Sequence, residues 1–207
     1  MEEPLMTCRP TKLSLSLFLL LCFLPLFSGA GFHPSPVASA GDRFIQEKCN
    51  TTEFPHLCVA SLSTFAPAIG DSMTMMAHAA LNVSLKSARS TSAMIAGLSA
   101  SSGDRMSPRV AGAVRDCVEN LADSVDSLRL SLMEMGSLQG RSIWMKIDDI
   151  QTWVSAALTE ENTCVEGFDD DGVDGSPVKA AVSAQVLSVA QLTSNALALI
   201  NDLSPVP

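Results

Sequence analysis

The chain has 207 residues, enough for one domain or two very small ones. Its 13 Lys and Arg face 22 Asp and Glu, and the net charge of −9 argues against a nucleic-acid binder, which needs a basic face to neutralise phosphate. With no Tyr, two Trp and eight Phe, the chain is poor in the residues a β-sandwich or barrel draws on, and its Ala, Ser, Leu, Met and Val favour close-packed helices.

The N-terminus reads as a secretory signal peptide over residues 1–30. Arg9 and Lys12 form a positive start, Leu13 to Phe27 is an apolar run, and Ser28-Gly29-Ala30 places small residues before a cut after Ala30. The run is shorter than the ~20 residues of a spanning helix and contains Pro25, so a membrane anchor is disfavoured. No later segment reads as long and apolar enough to span. The mature chain is therefore expected to be exported, free of the membrane, and still at −9, because two acids leave with two bases.

Residues 31–41 read as a flexible lead-in rich in Pro, Ser, Ala and Gly. A small helical hairpin is expected over 42–66, with Asp42 capping its first helix and Pro55 in the first turn of a second that runs from Thr52 to Leu62. Four cysteines remain after signal removal: Cys49, Cys58, Cys117 and Cys164. An even count in an exported chain suggests two disulfides, with three possible pairings. Cys49 and Cys58 flank Pro55 closely enough for a local bridge, which leaves Cys117 with Cys164. Zinc would need C-x2-4-C spacing or nearby His, and only His56 is close. Asn50-Thr51-Thr52 and Asn82-Val83-Ser84 are glycosylation acceptors, while Asn162-Thr163-Cys164 is a poor one.

Four longer helices are expected over 71–204. The first spans about Asp71 to Ser101, with Met73, Met76, Ala80, Val83, Met94 and Leu98 near helical spacing and Gly103 as its stop. The second starts at Ser107-Pro108 and runs to Met135, with Val114, Cys117, Val118, Leu121, Val125, Leu128 and Leu132 as its core face. The third covers Ser142 to Glu161, with a stripe of Ile147, Ile150, Val154, Ala157 and Leu158. The fourth starts at Ser176-Pro177 and carries Val178, Val182, Val186, Val189, Ala196, Ile200 and Leu203. Short connections make an all-α, up-down-up-down four-helix bundle the natural architecture. The acidic loop 166–175 lacks calcium-ligand spacing and reads as a solvated turn.

No catalytic constellation or cofactor motif is present, and neither His56 nor His78 has a nucleophile beside it. Asp148-Asp149 reads as an acidic first helical turn, favoured by the helix dipole. One surface feature stands out. Asp116, Glu119, Asp123 and Asp126 fall within about 80° of each other, opposite the apolar stripe of the second bundle helix. Arg115 and Arg129 partly offset them. The face is either simply solvated or a docking surface for a basic cleft that normally accepts a polyanion.

Four stretches carry a resemblance: FIQEKCNTTEFPHLC (44–58), RVAGAVRDCVENLADSVDSL (109–128), IDDIQTWVSAALTEENTCVEGF (147–168) and SNALALIN (194–201). Together they resemble the plant invertase/pectin methylesterase inhibitor family, from Asp42 to Leu203. The resemblance implies a four-helix bundle with an N-terminal hairpin and bridges Cys49–Cys58 and Cys117–Cys164. Many relatives carry a further cysteine in a V-K-x-x-V-C pattern, where VKAAVS here places Ser183. The Pro-Lys-Phe element of invertase inhibitors is absent, and the Q-T-W-V-S-A-A-L-T run is similar to pectin methylesterase inhibitors and to the pro-regions of plant pectin methylesterases. No esterase domain follows Pro207, so a free-standing inhibitor is expected, acting in the cell wall through a 1:1 complex with pectin methylesterase. Glu119, Asp123 and Asp126 are expected to lie along the substrate cleft, with Gln151 and Thr163 adding neutral hydrogen bonds. An invertase inhibitor is the alternative within the family. A carrier of an apolar ligand, lined by Met73, Met75 and Met76, is the alternative outside it.

Overall fold

The structure is a computed structural model, and it describes residues 39–102, 106–140, 142–169 and 177–204. The signal segment 1–30, most of the lead-in, Gly103, Ser176 and the acidic-loop residues 170–175 lie outside the described residues.

Helix α1 spans Ala40–Cys49, and its cap is Ser39, not Asp42. The Ser39 hydroxyl accepts from the Asp42 N–H at 3.1 Å, and the Asp42 carboxylate accepts from the Ser39 N–H at 2.9 Å. This reciprocal capping box pulls residues 39–41 out of the expected lead-in and into the helix. Helix α2 (Pro55–Leu62) starts at Pro55, where the missing N–H costs nothing, rather than at Thr52. A single 3-10 turn, Ser63–Phe65, leads into the short helix α3, Ala66–Ile69. A disulfide closes the hairpin between Cys49 and Cys58, whose Cα atoms are 5.6 Å apart. At Gly41 the hairpin packs backbone to backbone, since a Cβ there would meet the Ala66 carbonyl oxygen at 2.2 Å. Gly70, at φ +56°, turns the chain into the bundle in a conformation that favours glycine.

The bundle consists of α4 (Met73–Ser102), α5 (Pro108–Met135), α6 (Ile143–Glu166) and α7 (Pro177–Asn201). Each packs on its chain neighbour, and α4 also packs on α7, closing an up-down-up-down ring. Ser107 caps α5 by accepting from the Val110 N–H, and Gly136 ends it. The C-terminal end of α6 differs from expectation. It continues one turn past Glu161 to Glu166, so Cys164 lies within it, and the Cys117–Cys164 bridge joins α5 to α6 with Cα atoms 4.4 Å apart. Because α6 starts at Ile143, Asp148 and Asp149 fall beyond its first turn, where the dipole no longer favours them strongly. On α4 the core takes Ile95, and Met94 is exposed. Helix α7 corrects a further expectation: its 25 residues and hydropathy of 1.2 are enough to cross a membrane. Half of that apolar window is buried among the other helices, as in a bundle core.

The buried residues form two clusters. One, on the hairpin side, joins Ile45, Leu62 and Ile69 to Met76, Leu81, Leu128, Ile150, Val154 and Leu199. The other gathers Ile95, Val110, Val114, Leu121, Phe168, Val182 and Val186 around the Cys117–Cys164 bridge. Buried Thr91, Ser124 and Glu161 fall, along α4, α5 and α6, at the positions between the two clusters.

Candidate functional site

The acidic stripe stands free on the outer side of α5. Asp116, Glu119, Asp123 and Asp126 are all exposed, because the opposite side of the helix carries the fully buried Val114, Cys117, Leu121, Ser124 and Leu128. The bridge at Cys117 fixes the helix at one end of the stripe. Asp126 pairs with Arg129 at 3.1 Å, both ends well exposed, so that pair contributes little. Among the described residues Glu119 and Asp123 have no cationic partner. The same spacing continues to Leu130 and Met133, which are 41% and 68% exposed, so the acidic face ends in an apolar one.

The two neutral site residues lie on α6, the helix bridged to α5. Thr163 is exposed on α6, and its hydroxyl donates to the Thr159 carbonyl at 2.8 Å. Gln151 is half-buried on the flank of α6 that meets α7. Its Nε2 donates to Asn201 Oδ1 at 2.9 Å and to Ser204 Oγ at 3.1 Å, tying down the end of α7. Asn50 and Asn82 are both exposed, as glycan acceptors must be. His56 is exposed, and the His78 ring lies 3.2 Å from Asn82 Nδ2. No metal-binding group of His, Cys, Asp or Glu occurs among the described residues. Met76 is fully buried and Met75 is exposed, so these neighbours do not line one cavity.

Two polar residues that the sequence reading passed over hold this scaffold. Asn195 on α7 clamps the peptide group on each side of Phe54: its Oδ1 accepts from the Phe54 N–H and its Nδ2 donates to the Phe54 carbonyl, both at 3.0 Å. Beside it, the Ser194 hydroxyl donates to Glu53 at 2.8 Å. Glu161 is the second. It is fully buried, and its Oε1 accepts from Ser124 Oγ on α5 at 2.7 Å and from Thr193 Oγ1 on α7 at 3.1 Å. Its Oε2 has no partner among the described residues. Burial pushes its carboxyl up from 4.5 to about 7, against the opposing pull of the two hydroxyls. A signal for it was present: Ile147, Ile150, Val154, Ala157, Glu161 and Cys164 repeat at three and four, so Glu161 occupies a core position.

The plant invertase/pectin methylesterase inhibitor family model matches residues 43–199. The chain belongs to this family. Its relatives include pectinesterase inhibitor 11 of Arabidopsis thaliana, 38% identical over 91% of this chain and 94% of that one. Pectinesterase inhibitor 9 of the same plant is 38% identical, covering 82% of this chain and 85% of its own. A 21 kDa protein of Daucus carota is 36% identical over 93% and 97%. A crystal structure of a mutant form of an Arabidopsis pectin methylesterase inhibitor covers 74% of this chain and 92% of its own, with a TM-score of 0.60. At 20% identity that likeness speaks for the bundle fold. The family comprises inhibitors of enzymes, and the matched region takes in both disulfides, the acidic stripe and Glu161.

Proposed function

We propose that this chain is a secreted, cell-wall inhibitor of pectin methylesterase and not itself an enzyme. It acts by occupying the substrate cleft in a stoichiometric, non-covalent complex. The observation that carries the target is the 38% identity, along nearly the whole chain, to a relative named as a pectinesterase inhibitor. An inhibitor without catalytic groups must work by filling the cleft. Pectin becomes polyanionic as its esters are removed, so a groove that handles it tolerates negative charge. The free carboxylates of Glu119, Asp123 and Asp126 complement such a groove, with exposed Thr163 as a neutral contact. Gln151 can add only its Oε1 as an acceptor, because its amide nitrogen already holds Asn201 and Ser204.

The test is a titration of the mature protein against pectin methylesterase and, separately, acid invertase. Stoichiometric loss of esterase activity with invertase untouched is the expected result. Loss of invertase activity alone would transfer the protein to the other branch of the family.

A further inference from the structure

A groove of about 280 Å³ runs between the hairpin and α4, lined by Phe65, Asn82, Val83, Leu85, Lys86 and Arg89. Leu85, one of its lining residues, belongs to the buried cluster that also takes in Ala66, Ile69 and Ala79, so the groove adjoins the hairpin side of the core. Val83, Leu85 and Phe65 supply apolar surface, and Phe65 is 38% exposed. Asn82, Lys86 and Arg89 are spaced four and three apart, so they share one outward side of α4. Neither Lys86 nor Arg89 makes an ion pair among the described residues, although the chain carries an excess of nine acids. The Asn82 Nδ2 donates back to the His78 carbonyl at 2.9 Å, which leaves its Oδ1 to accept from a ligand hydroxyl.

We propose that this groove binds a carboxylate-bearing saccharide chain, the de-esterified form of pectin. Arg89 offers a planar fork and Lys86 a point charge to carboxylates, Asn82 Oδ1 takes a hydroxyl, and the apolar floor takes the C–H face of a sugar ring. The ligand assignment rests on the proposed function, because de-esterified pectin is what the target enzyme produces. The α5 stripe repels the same polyanion, so the two surfaces separate their partners by charge: the esterase cleft meets α5 and the enzyme's product meets α4. The inhibitor would thereby be held where de-esterification has already occurred. Asn82 is also a glycosylation acceptor, so a glycan there and a bound chain exclude each other.

The test is calorimetric titration of the mature protein carrying Ser84→Ala, which abolishes the acceptor without touching the groove lining. Ser84 is fully buried and, among the described residues, its hydroxyl donates only to the Ala80 carbonyl of its own helix, so the change is conservative. The titrants are a de-esterified galacturonan oligomer, its fully methyl-esterified counterpart and polyglutamate. Binding to the de-esterified oligomer is expected at least tenfold tighter than to the other two. Lys86→Gln with Arg89→Gln should weaken it at least tenfold and leave esterase inhibition at the parent level. Absence of binding, equal binding of polyglutamate, or a double variant that binds like its parent would each overturn the proposal. Failure of the inhibitor reading shows separately, as a parent protein that does not inhibit the esterase.

Discussion

The two halves of the core are built on different principles. The hairpin half is broad, filled by Ile, Leu and Met from helices of both the hairpin and the bundle, and held by polar contacts such as the Asn195 clamp on Phe54. Its disulfide lies wholly inside the hairpin. The far half is smaller and richer in Val, and its bridge ties α5 to α6. Between them lie Ser124 and Glu161, polar groups in a place where an apolar residue would pack more cheaply. Where a core is large, packing can carry the helices with local help. Where it is small, a covalent tie between helices takes over.

Removing each bridge tests this division most strongly. On loop-entropy grounds, Cys117→Ser with Cys164→Ser should cost about 4 kcal/mol, and Cys49→Ser with Cys58→Ser about 2.7 kcal/mol. Thermal unfolding would show the first pair lowering the midpoint more. Equal shifts would mean that the far half does not depend on its bridge.

The boundary itself is probed by pH. Glu161 binds its proton more tightly in the folded chain, near 7, than at its ordinary 4.5. Its favourable contribution is therefore complete below about pH 4.5 and is lost as the pH rises through 7, by up to about 3 kcal/mol. Glu161→Gln keeps an acceptor for Ser124 and Thr193 and removes the charge. Between pH 5 and 8 the melting midpoint of this variant should fall less than the parent's. Parallel curves would show that Glu161 does not titrate in that range.

Gly41→Ala attacks the hairpin half alone. Its new methyl meets a backbone oxygen that cannot rotate away, so a loss of about 1–3 kcal/mol is expected, read as faster exchange of hairpin amides while α5 and α6 stay protected. Asp123→Ala with Asp126→Ala changes the surface that flanks Ser124 and neither core. Esterase inhibition should weaken at least tenfold, about 1.4 kcal/mol, with the melting midpoint unmoved and the loss smaller in high salt. The smallest effect is in the far half. Ser183 Oγ is buried with no partner among the described residues, so Ser183→Ala should raise stability by about 1 kcal/mol in a denaturant titration.

The helices were legible because their ends are written in local chemistry. Ser107-Pro108 and Gly136 mark α5 within a residue, and the period of Val114, Cys117, Leu121 and Leu128 marks its inner side. What escaped notice depends on tertiary partners. In sequence Glu161 is one acid within the 147–168 stretch, and a carboxylate at a core position makes sense only once Ser124 and Thr193 come across from other helices. Local propensity does not carry α6 past Glu161, since Asn162 and Thr163 are weak helix formers, and it is the bridge at Cys164 and the burial of Phe168 that hold the chain helical to Glu166. Of the docking residues, the acidic stripe follows from spacing alone. The engagement of Gln151 by Asn201 and Ser204 does not, since those partners lie fifty residues further on.

Helix α7 is translated after the other three, and it packs on both α4 and α6. Until it arrives, α4, α5 and α6 can form only an open trough, with Glu161 wet and charged at neutral pH. Docking of α7 brings the Thr193 hydroxyl to that carboxylate and shuts out water. Closure near neutral pH is therefore coupled to partial uptake of a proton, and assembly of the last wall of the bundle becomes easier as the surroundings turn acidic.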